Sequence, residues 1–266
     1  MASTAPAAGD RTMSAGRVFE RAFAAVRTNP TVILGLALLV GALPSLIITY
    51  LFVQLGMGSR AVLQPGALPT GGIIAMALVS SVISMVLSAI VQGAITRAAI
   101  AATEGKQVSF GDSLGTGLRV FLPLIGLAIV SSLGIMLGFI LLIVPGVILL
   151  LMWTVAVPAL VVERHGVFGS LSRSSELTKG AKGTVFGILI VIVIAYWLLS
   201  LIFGVIGLAA YNPASITGLT VFNVIGSVIL GTVFNAAWGT IQPALYVELR
   251  QWKEGTSVEA LEDVFA

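Results

Sequence analysis

An all-α, polytopic membrane fold with six transmembrane helices is what the sequence predicts, and three observations predict it. Hydrophobic residues make up 58% of the 266 positions, charged residues only 9%, and the apolar residues are gathered into runs long enough to cross a bilayer. A soluble domain carries about 25% charged residues. A mean hydropathy of +1.08 leaves too little polar surface to cover a core in water. Cysteine is absent and His165 is the sole histidine, which excludes disulfides, thiolate chemistry and multi-histidine metal cages.

Taken in order, residues 1–14 read as a disordered tail without the apolar core of a signal peptide. An amphipathic segment follows, with Val18, Phe19, Ala22, Phe23 and Val26 on one face opposite Arg17, Glu20 and Arg21. A crossing needs about 20 apolar residues for about 30 Å of hydrocarbon. The runs at 31–55, 71–99, 121–144, 184–210 and 221–246 meet that length, and 146–162 is a shorter fourth span joined to the third by a turn at Pro145-Gly146. A second amphipathic segment carries Phe110, Leu114, Leu118 and Phe121 and opens on Ser109 and Asp112, the spacing of a capping box. A third, more polar, lies at 167–182, and a short fourth at 257–265 sits in a C-terminal tail of residues 250–266. The membrane domain, 15–249, is thus expected as three hairpins, each preceded by a cytoplasmic interfacial helix.

Thirteen of the 14 Lys and Arg residues fall on one side of these spans, and Arg60 alone falls on the other. All 11 carboxylates share the basic side. By the positive-inside rule that side is cytoplasmic, so both termini are expected in the cytoplasm. The sequence pI near 9.5 then reflects orientation, and no nucleic-acid partner is expected.

Two stretches repeat. Pro158-Ala159-Leu160-Val161-Val162-Glu163 recurs as Pro243-Ala244-Leu245-Tyr246-Val247-Glu248, and Gln92, Ala94, Glu104, Gly105 and Val108 match Gln242, Ala244, Glu254, Gly255 and Val258 at an offset of 150. Within 143–187 stand Ile143-Val144-Pro145-Gly146-Val147, Trp153, Ala156-Val157-Pro158, Glu163, Gly166, Leu171, Arg173-Ser174, Leu177, Lys179-Gly180 and Phe186-Gly187. This pattern resembles the membrane domain of glycerophosphoryl diester phosphodiesterase and its stand-alone relatives among uncharacterised bacterial inner-membrane proteins. The resemblance implies a six-span fold and an inner-membrane location. It implies no hydrolase activity, because the soluble catalytic domain of those enzymes has no counterpart here.

The densest charged segment offers Arg164, Arg173, Ser174, Lys179 and Lys182 as candidate contacts for an anionic lipid head group. The simpler reading is that Glu176 pairs with Arg173 or Lys179 and that the bases set orientation. Glu163 and Glu248, at the inner ends of spans four and six, need partners, for which Arg164, Arg173 and Arg250 are at hand. Ser80, Ser84, Ser88 and Gln92, then Asn223, Ser227, Gly231, Asn235 and Gly239, and the pair Gly134 and Gly138, are polar or small stripes suited to helix packing. A polar substrate groove at Asn223, Asn235 and Gln242 is the alternative.

No catalytic, cofactor or metal constellation stands out. The expected function is that of a non-enzymatic inner-membrane protein that binds lipid or a membrane-protein partner, for example in envelope homeostasis. A small transporter or permease is the alternative, with only Pro44 hinting at a broken helix, and an intramembrane enzyme is third.

Overall fold

The computed structural model describes residues 13–43, 46–47, 71–209 and 216–255, and they form helices with no strand among them. The 1–12 part of the predicted N-terminal tail, the second half of the first predicted span with Pro44, Arg60, and the predicted short helix at 257–265 lie outside the described residues. The elements are α1 (Ala15–Thr28), α2 (Pro30–Leu36) running into a π-helical turn (Ala37–Ala42), α3 (Gly71–Thr103), α4 (Phe110–Leu141), α5 (Ile143–Met152), α6 (Ala156–Glu163), α7 (Gly166–Thr178), α8 (Lys182–Ala209) and α9 (Ile216–Glu254).

Four stretches among the described residues are long and apolar enough to cross a membrane: Leu78–Thr103, Phe110–Leu141, Ile143–Glu163 and Lys182–Leu208. A fifth arises if Ala15–Thr28 and Pro30–Leu39, bent by 96°, count as one. α9 covers the predicted sixth span and stands outside this set, which is drawn from the described residues alone. The chain is therefore a multi-pass membrane protein with four to five candidate spanning helices.

α1 ends at Asn29, whose φ of −129° and ψ of 55° leave the helical region, and Pro30 opens α2 at the position where its missing N–H costs nothing. Asn29 is buried, donates to the Lys106 carbonyl and accepts from the Val108 N–H, so it pins the α1–α2 corner to the α3–α4 loop. Phe23 does not join the buried face of α1 as its spacing predicted. It is 59% exposed, with the Arg27 guanidinium 4.5 Å over its ring.

Ser109 caps α4, its Oγ accepting from the Asp112 N–H at 3.0 Å and donating to Asp112 Oδ2 at 2.7 Å. The second interfacial helix and third span are not separate, however. They form one unbroken helix of 32 residues, and Leu118, assigned to the packed face, is exposed. The turn into the next span sits at Leu142, in extended backbone, rather than at Pro145-Gly146. Pro145 is the third residue of α5, where its absent N–H is an orphan anyway. Gly146 lets α5 lie on α4, since a Cβ on Gly138 would stand 2.9 Å from the Gly146 Cα.

The buried apolar residues gather in three clusters near the charged helix ends, where α1, α2, α6 and α7 close over α3, α4, α8 and α9. Farther along, apolar side chains face outward: Ile140, Leu141 and Ile143 around the α4–α5 turn, and Trp197, Leu201 and Leu208 on α8. Such a belt suits lipid as solvent.

Candidate functional site

The fourth predicted span breaks in the middle. α5 stops at Met152, and Trp153 to Val155 form a turn with Val155 at φ −104° and ψ 17° before α6 begins. A break in apolar surroundings frees backbone groups that water cannot reach. Here a side chain from α7 satisfies them. Ser174 Oγ donates to the Met152 carbonyl at 2.6 Å and accepts from the Val155 N–H at 3.3 Å, and Thr178 Oγ1 reaches the same carbonyl at 3.4 Å. Trp153 lies over Gly134 of α4, where an added Cβ would come within 2.5 Å of its ring.

On the charged face, Glu163 at the end of α6 receives Arg173 Nε at 2.9 Å to each oxygen, the Tyr246 hydroxyl at 2.6 Å, and has His165 Nδ1 3.3 Å away. Arg173 also bonds Glu254 through Nη2, and Arg250 Nε bonds Glu254 at 2.9 Å. Lys253 donates to the Glu176 carbonyl. Burial alone would lower the Arg173 pKa, but its bonds to Glu254 and Glu163 and their charges raise it above its ordinary value. Burial would raise Glu254, yet Arg173 and Arg250 hold it below the usual carboxylate value. A basin of about 650 Å³ opens above, lined by Glu163, His165, Ser172, Arg173, Arg250 and Glu254 among others.

A second ionic cluster joins α1 to the last turns of α9. Glu248, 3% exposed, receives Arg17 at 2.6 Å and Arg21 at 3.4 Å, and Arg21 also bonds Gln251. A buried carboxylate with one bonded guanidinium and a second beside it ties α1 onto the end of α9.

These contacts correct several sequence expectations. Ser174 is fully buried and spends both hydrogen-bonding roles on the α5–α6 break, so no lipid phosphate reaches it. Arg173 is bound to two carboxylates, and the basin holds Glu163, Glu176 and Glu254 against Arg173 and Arg250, a balance that does not favour an anion. Arg173 turns to Glu163 and Glu254 rather than to Glu176. Glu248 takes neither Arg164, Arg173 nor Arg250 but two arginines of α1, and Arg250 takes Glu254. The readable signal was the Arg17 and Arg21 pair, one turn apart on α1. Arg164 and Lys179 are exposed and Lys182 is half-buried, and none of the three has an ion pair among the described residues. Arg164 caps α6 at φ 53°.

Of the polar and small stripes, Gly134, Gly138 and Gly239 lie against neighbouring helices, whereas Ser88 and Ser227 are exposed. Gln92 donates to Gln242 at 2.6 Å across α3 and α9, and Asn235 donates to the Gly231 carbonyl of its own helix. The side chain of Asn223 lies outside the described residues. Comparison with known proteins finds no matching family model, no matching curated protein and no matching solved structure.

Proposed function

We propose that this chain is a non-enzymatic bacterial inner-membrane protein of the kind resembled by the stand-alone phosphodiesterase membrane domains, binding anionic lipid or a membrane partner at its cytoplasmic face. In this reading six spans pair as three hairpins and both termini are cytoplasmic. The observation that carries it is the use of charge on one face. Glu163, Glu248 and Glu254 each hold arginines that tie α1, α7 and α9 together, while Arg164, Lys179 and Lys182 at the two ends of α7 have no ion pair among the described residues. Each such base at an anionic surface contributes on the order of 1 kcal/mol. The 73% exposed Phe168, near the start of α7, adds an apolar anchor beside them. The repeat fits this scheme, because Glu163 and Glu248 each hold an amphipathic helix and the matched Gln92 and Gln242 meet one another.

The test is lipid content. Wild-type protein purified in mild detergent is expected to retain phosphatidylglycerol, and the triple variant Arg164→Gln, Lys179→Gln, Lys182→Gln is expected to retain several-fold less in total, with its melting temperature unchanged. Equal total lipid in the two proteins would sink the reading.

The transporter reading has its own observation, the α5–α6 break together with the π-helical turn at Ala37–Ala42. Discontinuous helices in transporters present free helix ends to substrate. Here the Met152 carbonyl and the Val155 N–H are already occupied by Ser174, which supports a structural role for the break.

A further inference from the structure

A second site lies away from the basin, on the outer side of α3 and α4. Arg97 of α3 and Gly111, Asp112, Gly115, Thr116 and Arg119 of α4 line a groove of about 320 Å³. The space is open, for a Cβ on Gly115 would meet nothing within 4 Å. Arg97 and Arg119 are exposed and, among the described residues, neither bonds a carboxylate, whereas Arg17, Arg21, Arg173 and Arg250 all do. Asp112 is engaged by Ser109 at the cap, and Thr116 donates to the Asp112 carbonyl. Two guanidiniums against one carboxylate leave the groove positive.

Arg97 belongs to the apolar stretch Leu78–Thr103, six residues or roughly 9 Å from its end. A guanidinium on so apolar a stretch is costly without a counter-ion, and among the described residues no carboxylate pairs with Arg97. A bilayer phosphate has the charge to serve as one. Directly beyond Gly111 and Gly115 on the same face of α4 run Leu118, Leu122, Ile129, Leu133 and Ile140, all exposed. A free phosphate would use the arginines alone, whereas a lipid uses the arginines and the stripe.

We propose that the groove binds the phosphodiester of an anionic glycerophospholipid between Arg97 and Arg119, with its acyl chains along the Leu118–Ile140 stripe. The inference rests on the membrane and lipid-binding reading above, but on different residues.

The experiment is native mass spectrometry of the full chain in micelles doped with equal phosphatidylglycerol and phosphatidylethanolamine. It follows the last lipid adduct to survive collisional activation. Wild type is expected to keep one phosphatidylglycerol, Arg97→Gln with Arg119→Gln to lose it by about tenfold or more, and the Lys pair to keep it partly, since an ammonium lacks the planar fork. The Arg164, Lys179, Lys182 triple variant is expected to keep this adduct, and millimolar inorganic phosphate is expected not to displace it. Displacement by phosphate would overturn the lipid assignment in favour of a free anion. A last adduct lost from the triple variant but not from the groove variant would overturn the groove and spare lipid binding at the face. No preference for phosphatidylglycerol in wild type would overturn both. Unchanged melting temperatures show that the exposed substitutions leave the fold intact.

Discussion

Gly117→Ala is expected to destabilise the protein by about 3 kcal/mol, the upper part of the range for overpacking a tight contact. A Cβ at Gly117 would land on the Ile90 carbonyl oxygen and lie 3.2 Å from the Ala94 nitrogen, both backbone atoms that no rotamer change can move. A Cβ on Gly93 of the facing helix would likewise stand 3.1 Å from the Gly117 Cα, so the two glycines set the α3–α4 distance. Relief requires the helices to separate, which also loosens the contacts of Ala89, Val120 and Leu124. Gly187→Ala is the control. Its Cβ meets nothing within 4 Å, and alanine is the better helix former by about 1 kcal/mol. Thermal unfolding in detergent should show a marked drop for the first and none for the second. Similar melting curves would mean that the α3–α4 crossing is wider than described.

Ser174→Ala is expected to cost about 2–3 kcal/mol, because it strands a buried backbone N–H and takes the short bond from a carbonyl as well. The Val155 N–H loses its bond to Ser174, and the Met152 carbonyl keeps only Thr178 at 3.4 Å. Hydrogen exchange at Val155 should accelerate together with the loss of stability. Ser172→Ala, two residues away and exposed, is expected within about 0.5 kcal/mol of wild type. If Ser174→Ala is as stable as Ser172→Ala, the break is not held by this hydroxyl.

The apolar runs made the helices legible, since a stretch such as 184–210 without a single charge has few alternatives, and the structure places α8 across it. Ser109 with Asp112 was equally legible, being a local contact between residues three apart. What sequence could not show was where a helix stops without a local signal. Trp153-Thr154-Val155 carries no Gly or Pro, and its break depends on Ser174, about twenty residues later. Pro145-Gly146 misled in the opposite sense, because a proline near a helix start reads in sequence like a turn. The ionic site was half legible. Both acids plainly needed bases, and Glu163 found Arg173 ten residues on, but Glu248 found Arg17 at a separation of 231, which no spacing rule reaches.

Everything proposed for the charged face depends on its lying in the cytoplasm. The chain has no cysteine, so single cysteines can be introduced without removing any. An impermeant thiol reagent applied to intact cells should label a cysteine replacing Ser59, next to Arg60 in the sequence, and leave one replacing Ser172 unlabelled until the cells are permeabilised. Ser172 is exposed at the basin beside Arg173, so access is limited by the membrane and not by burial. Labelling at Ser172 in intact cells, with Ser59 protected, would invert the topology and contradict the account.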